Sequence, residues 1–129
     1  MSTTCKPTPP TEFTNVLVTA IPEKDSVTGK TKYKTTFSPE SITITTNDAV
    51  INYQLVEPTP KDVKFKKMTV KPEDNDQLSV PSISKSGKII TFSDANTTKE
   101  TLAISLKFSD SAGTEFVVDP DVNNDPEPQ

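Results

Sequence analysis

The residues of this chain that could do chemistry are carboxylates, amides and lysines. The sequence contains no His, so it lacks the side chain whose ordinary pKa lies near neutrality and which usually shuttles protons. All 14 positive charges are Lys, and without Arg there is no planar fork for a bidentate grip on phosphate or carboxylate. We therefore expect no enzymatic activity and assign no catalytic residue.

The C-terminal stretch offers the most suggestive set of oxygen ligands. Asp119, Asp121 and Asn123 repeat the first three ligand positions of an EF-hand loop. Asn124 stands where that loop requires Gly for its sharp turn, so an EF-hand is excluded. A looser calcium site, drawing also on the acidic residues 73–74, stays open because Ca²⁺ accepts varied oxygen cages. The alternative is a solvated acidic tail whose prolines prevent further strand pairing.

Transition metals and other cofactors are not expected, because imidazole is absent and Cys5 is the only thiol. A single Cys also excludes an intrachain disulfide framework, as is typical of a reducing compartment. The first six residues show no apolar region of a signal peptide. No apolar run approaches the roughly 18 residues of a membrane span. We expect a cytoplasmic location and no contact with a membrane.

A lysine-rich segment raises the possibility of nucleic-acid binding. Its members are Lys61, Lys64, Lys66, Lys67 and Lys71, interleaved with apolar residues that include Phe65. Basic residues beside an aromatic ring can bind a single strand. The alternative is that lysines on the outside of an edge strand discourage aggregation between sheets. The net charge of −4 and the few aromatic residues (6%) favour the alternative, so no nucleic-acid partner is expected.

The elements that must position these residues are predicted to be strands. Short runs with a period of two recur along the chain, most clearly over residues 41–46 and 102–108, and no segment keeps a period of 3.6. The pattern predicts an all-β, antiparallel two-sheet Greek-key sandwich of about eight or nine strands, with a barrel as the alternative. The predicted core includes Val16, Val18, Ile44, Ile51, Leu102, Ile104, Leu106 and Phe108.

The same pattern sets the expected boundaries within the chain. Residues 1–12 are predicted to be an extended Pro/Thr-rich tail, 13–122 the sandwich domain, and 123–129 an acidic, Pro-rich tail. The apolar parity changes at Lys66-Lys67, which predicts a β-bulge or a corner. We expect the C-terminal segment to be ordered at least through Val122, because that residue is apolar.

Residues 37–50, from Phe37-Ser38-Pro39 to Asp48-Ala49-Val50, resemble the strand-turn-strand pattern of cupredoxins. A blue-copper site requires two imidazoles and a thiolate, which this chain cannot supply. The resemblance therefore implies a cupredoxin-like or immunoglobulin-like sandwich without copper.

The Asp119-Pro120 and Glu127-Pro128 pairs, which follow a β-rich body, resemble the DP-EP family of small bacterial proteins. This resemblance implies a β fold and a bacterial origin. It implies no activity.

The function that we expect is that of a non-enzymatic protein-interaction or structural module. Its partner would be another protein or a second copy of itself, contacted through sheet edges, loops or one face of the sandwich. The alternative is a binding module linked to Ca²⁺ or carbohydrate, although Trp, the usual sugar platform, is absent. An apolar surface patch would favour the interaction module, and an ion caged by Asp oxygens would favour the Ca²⁺- or carbohydrate-linked module.

Overall fold

The computed structural model describes residues 11–126, which form strands and no helix. The all-β prediction is confirmed, but the strands number ten, more than the expected eight or nine. They are β1 (Phe13–Lys24), β2 (Thr31–Ser38), β3 (Ile42–Ile44), β4 (Ala49–Leu55), β5 (Lys64–Lys71), β6 (Ser82–Ile83), β7 (Ile89–Asp94), β8 (Glu100–Ser109), β9 (Glu115–Val118) and β10 (Asp121–Asn124). Nothing in this part of the chain forms a helix long and apolar enough to cross a bilayer.

The strands make two sheets, which confirms the predicted sandwich. The first sheet has the order β2-β1-β4-β7-β6, and the second has the order β3-β10-β8-β5, with β9 also paired to β8. Both sheets are mixed, so the antiparallel prediction is wrong for two pairs: β1 runs parallel to β4, and β10 runs parallel to β3. A tight hairpin forces antiparallel pairing. Between β2 and β4, however, the chain forms β3 in the other sheet. β4 can therefore return to the first sheet in either direction.

The core lies between the sheets and contains every residue predicted for it. Along β4 and β8, buried residues alternate with more exposed ones, as the period of two requires. A row of aromatic rings crosses the interior. The ring of Phe108 lies 4.9 Å from that of Phe65, to which it is tilted, and is stacked 4.8 Å from that of Phe116, which in turn is stacked 4.3 Å from Tyr33. Each fully buried Val, Leu, Ile or Phe side chain stabilises the fold by about 1.5–3 kcal/mol.

The predicted change of parity at Lys66-Lys67 is a β-bulge in β5. The pairing with β8 shifts register between Phe65 and Lys67, which leaves both lysines exposed and returns Met68 to the core. The bulge therefore lets Phe65 and Met68 face inward although three positions separate them.

The Asp119-Pro120 pair interrupts one long C-terminal strand. β9 and β10 pair with successive halves of β8 in an unchanged register, and the amide of Ile104 donates to the carbonyl of Pro120 at 3.0 Å. Pro120 is buried although it has no N–H to donate. The strand includes Val122, as expected, and extends to Asn124.

A turn before β7 depends on Gly87. This residue has a φ of +75°, and its carbonyl accepts a hydrogen bond from the amide of Phe65 at 2.8 Å. A Cβ at residue 87 would lie 2.7 Å from the Cβ of Lys64, which cannot move away without the backbone.

We expect Gly87→Ala to lower the free energy of unfolding by about 2–4 kcal/mol, from the left-handed backbone and the overpacked contact together. Gly113→Ala is the matched control, because Gly113 has a φ of +87° but no atom within 4 Å of the added Cβ. That variant should lose only about 1–2 kcal/mol. Urea unfolding of both variants measures the difference, and equal losses would show that the Lys64 contact is harmless.

Candidate interaction surfaces

The candidate calcium ligands lie on one C-terminal strand but do not converge. The hydroxyl of Ser105 donates to the carboxylate of Asp119 at 2.7 Å, and that of Thr101 donates to the side-chain oxygen of Asn123 at 3.0 Å. Asp121 is exposed between them. Alternate residues of a strand are about 6.6 Å apart, whereas Ca²⁺ holds its oxygens at about 2.3–2.6 Å.

Two further observations bear on metal binding. Glu73 and Asp74 lie in an exposed turn between β5 and β6. Over residues 11–126 there is no group of three or more His, Cys, Asp or Glu side chains that could hold a metal ion. Cys5 and most of the predicted N-terminal tail lie outside the described residues. A calcium site at Asp119, Asp121 and Asn123 stays a prediction, and the three side chains do not converge on a common point.

The lysine-rich segment forms part of a charged surface on the outside of the second sheet. A shallow groove of about 230 Å³ there is lined by Lys67, Thr69, Ser105, Lys107 and Val117. The carboxylate of Glu115 lies 3.4 Å from the ammonium of Lys66 and 3.5 Å from that of Lys107. The attraction of Lys107, and then of Lys66, lowers the pKa of Glu115. We call this outer surface of β5, β8, β9 and β10 the charged face.

The outside of the first sheet is different. We call the outward residues of β4, of β7 and of β1 as far as Ile21 the uncharged face, and the burial alternation and the strand register define its members. They are Phe13, Asn15, Leu17, Thr19, Ile21, Val50, Asn52, Gln54, Ile89, Thr91 and Ser93. None of them is charged, in a chain with 25% charged residues. Glu23, the next outward residue of β1, lies beyond this face.

The uncharged face combines exposed apolar side chains with polar groups that bond to each other. Phe13 is 71% exposed and Leu17 is 40% exposed. The hydroxyl of Thr91 donates to the side-chain oxygen of Asn52 at 2.6 Å, and the hydroxyls of Thr19 and its cross-strand neighbour Thr36 are hydrogen-bonded. This face therefore presents a surface whose polar groups are already partly satisfied.

The sheet edges differ in how open they are to pairing. The edge strands β3 and β6 are three and two residues long, and β5 carries the bulge and four lysines. Short, bulged or lysine-rich edges resist pairing with other chains. β2 is an unbulged edge of eight residues, with Lys32 and Lys34 exposed.

A buried polar cluster joins the two sheets at one end of the sandwich. It consists of Gln77, Asp94, Asn96 and Asn124, which are 3%, 0%, 0% and 2% exposed. The amide of Asn124, on β10, donates to the carboxylate of Asp94, on β7, at 2.9 Å. The side-chain amide of Asn96 donates to the carbonyls of Ile44 and Thr46 at 2.9 and 3.1 Å.

Asp94 is the only ionisable member of this cluster. Burial raises its pKa, and the negative charge of Glu100 adds to that shift, against the hydrogen bonds from Asn124 and Asn96. One oxygen each of Asp94, Asn96 and Asn124 has no hydrogen-bond partner among the described residues. A proton on the unpartnered Asp94 oxygen would remove the buried charge.

Sequence reasoning missed this cluster, although a signal was present. Asp94 has the same parity as the buried Ile90 and Phe92, and Asn124 has the same parity as Val122. A polar residue on the apolar parity of a strand predicts a buried polar group. Asn96, which begins an Asn-Thr-Thr glycosylation sequon, is fully buried.

Comparison with known proteins agrees with this architecture. No curated protein sequence matches the chain. A family model, that of the DP-EP family, matches residues 12–126, and this range contains all ten strands and the Asp119-Pro120 interruption. Glu127-Pro128, the second pair on which the resemblance rested, lies beyond that match and outside the described residues. Since the match covers most of its length, the chain belongs to the DP-EP family.

Proposed function

We propose that this protein is a non-enzymatic interaction module that binds a protein partner through its uncharged face. The observation that carries the proposal is the contrast between the two outer surfaces of the sandwich. Lysines and carboxylates cover the second sheet, whereas no outward residue of β4, of β7 or of β1 between Phe13 and Ile21 is charged.

The energetics of dehydration support this assignment. Removing a charged side chain from water is costly unless it is paired and hydrogen-bonded. The cores of protein interfaces are accordingly depleted of charged residues. The uncharged face avoids this cost, and its Asn52–Thr91 and Thr19–Thr36 hydrogen bonds persist when water leaves. Burying Phe13 and Leu17 would add a favourable hydrophobic contribution.

The position of Asp94, whose pKa is raised by burial, supports a role without catalysis. Asp94 is fully buried between the sheets, where a substrate cannot reach it, and its hydrogen bonds are used to join strands. A cytoplasmic location stays a prediction and forms part of this proposal.

Site-specific photocrosslinking in the native host tests the proposal. A benzophenone amino acid replaces Gln54 on the uncharged face in one variant and Thr69 on the charged face in another. We expect a defined adduct from residue 54, because this position would lie inside the interface, and none of comparable yield from residue 69.

A second substitution shows whether the adduct reports specific binding. Leu17→Lys places a charge in the uncharged face and should abolish the adduct from residue 54. Val117→Lys, at an apolar residue of the charged face that is 54% exposed, is the matched control and should leave it intact. Adducts from residue 69 alone, or an adduct from residue 54 that Leu17→Lys does not affect, would contradict the proposal.

A further inference from the structure

We propose that the partner of the uncharged face is a second copy of this chain, packed face to face about a two-fold axis. This inference rests on the proposed function, and it adds the identity of the partner. In such an isologous dimer, the same residues of both copies meet across the axis.

Charge complementarity is the first argument for a second copy. A surface with an excess of one sign of charge meets the same excess on a second copy of itself, and the chain as a whole has a net charge of −4. The uncharged face has no such penalty. The exposed charges of β1 and β2 are grouped at one corner of the sheet, where Lys34 pairs with Ile21 at the rim of the face; they are Glu23, Lys24, Lys32 and Lys34.

Edge pairing through β2 is the other way in which two copies could join, and the charges disfavour it. In an antiparallel pair of two β2 strands, the exposed residues Lys32 and Lys34 of one copy would share a face with the same lysines of the other. Like charges opposite each other in a sheet are destabilising. No comparable repulsion opposes stacking of the uncharged faces.

The size of the face predicts a weak dimer. Three strands about 4.8 Å apart, with up to nine residues at about 3.3 Å each, cover a flat area of roughly 14 by 30 Å, or about 420 Å². Specific interfaces bury about 800 Å² of accessible surface per partner. The accessible area of the uncharged face is larger than its flat area, because side chains project from the sheet. We therefore expect association at micromolar concentrations, with a dissociation constant on the order of 10–100 µM.

Exposed apolar side chains supply the contact. Leu17 lies on β1, beside Gln54 of β4, which is the central strand of the sheet, so it belongs to the proposed interface. Phe13, next to Val50, is the largest apolar side chain of the face and lies towards one end of it. Sheets that pack face to face are about 10 Å apart with interdigitated side chains, which suits a surface of Thr, Asn, Leu and Ile.

Analytical ultracentrifugation of the full chain between about 5 µM and 1 mM, a range that brackets the expected dissociation constant, tests this inference. We expect a monomer–dimer equilibrium. Leu17→Lys should weaken it at least tenfold, because each copy would bring a charged side chain into the dehydrated interface. Val117→Lys and Lys34→Glu should leave it unchanged, and circular dichroism should show that all three variants remain folded.

A monomer at every concentration would overturn the inference. A dimer whose dissociation constant is unchanged by Leu17→Lys but changed by Lys34→Glu would also overturn the inference. That result would indicate edge pairing through β2. If the chain is monomeric while the crosslink from residue 54 joins a different protein and depends on Leu17, the inference fails and the proposed function stands. A monomeric chain without that crosslink contradicts both.

Discussion

A chain that ends at Val118 is expected to lose its cooperative folded state. The truncation removes β10, which lies between β3 and β8 in the second sheet. β3 pairs with β10 and with no other described strand, so its Ile42 and Ile44 would lose the strand that holds them against the core.

The energetic cost of this truncation is comparable to the whole stability of a small domain. Exposing Ile42, Ile44 and Val122, each now 5% exposed or less, costs about 1.5–3 kcal/mol per residue. The hydrogen bond between Asn124 and Asp94 is lost as well. We expect a total loss of roughly 5–10 kcal/mol, against a typical net stability of about 5–15 kcal/mol.

Thermal unfolding followed by far-ultraviolet circular dichroism measures this effect. A chain that ends at Pro126 is the matched control and should melt like the full chain, because it keeps β10 and the hydrogen bond from the amide of Asp125 to the carbonyl of Ile44. A chain that ends at Val118 and still melts cooperatively near the full-length temperature would show that β10 is an optional strand.

Two replacements of Asp94 are expected to differ in their effect on stability. Asp94→Ala should destabilise the chain, whereas Asp94→Asn should not. Asp94→Ala removes the acceptor for Asn124 and for the amide of Asn96 and leaves a cavity among polar groups. We expect it to cost about 3–4 kcal/mol. Asp94→Asn has the shape of the protonated acid, accepts the same hydrogen bonds and carries no buried charge. It should be at least as stable as the natural chain near neutral pH.

The pH dependence of unfolding gives the sign of the Asp94 contribution. Because burial raises the pKa of Asp94 in the folded state, the folded chain holds this proton more tightly than the unfolded chain, where the pKa is about 3.9. The contribution of neutral Asp94 to the free energy of unfolding is fully present below about pH 4. It is lost as the pH rises through the raised pKa of the folded state. The stability of the natural chain should therefore fall relative to that of Asp94→Asn over this range.

Urea unfolding of the natural chain and of both variants between about pH 4 and pH 8, the range above the ordinary Asp pKa, tests this prediction. Equal stability of Asp94→Asn and the natural chain at every pH would show that Asp94 has no raised pKa. An Asp94→Asn variant as unstable as Asp94→Ala would show that the carboxylate itself is required. Asn124→Ala, which removes the amide on the other sheet, should also destabilise the chain.

The fold class could be predicted from the amino-acid sequence, and so could eight of the 19 buried apolar residues in the described part of the chain. A period of two shows which side of a strand faces inward. One short segment contains the whole alternating pattern of Leu102, Ile104, Leu106 and Phe108. The bulge at Lys66-Lys67 was predictable for the same reason, since a change of parity is visible along the chain.

Which strands are neighbours could be established from the three-dimensional fold alone. Parity does not say whether β1 lies beside β4, or in which direction β10 passes β3, because these pairings join residues that are distant in sequence. Both features on which the conclusions depend arise from such pairings. The uncharged face exists because β1, β4 and β7 lie side by side, and Asp94 meets Asn124 because the two sheets bring their ends together.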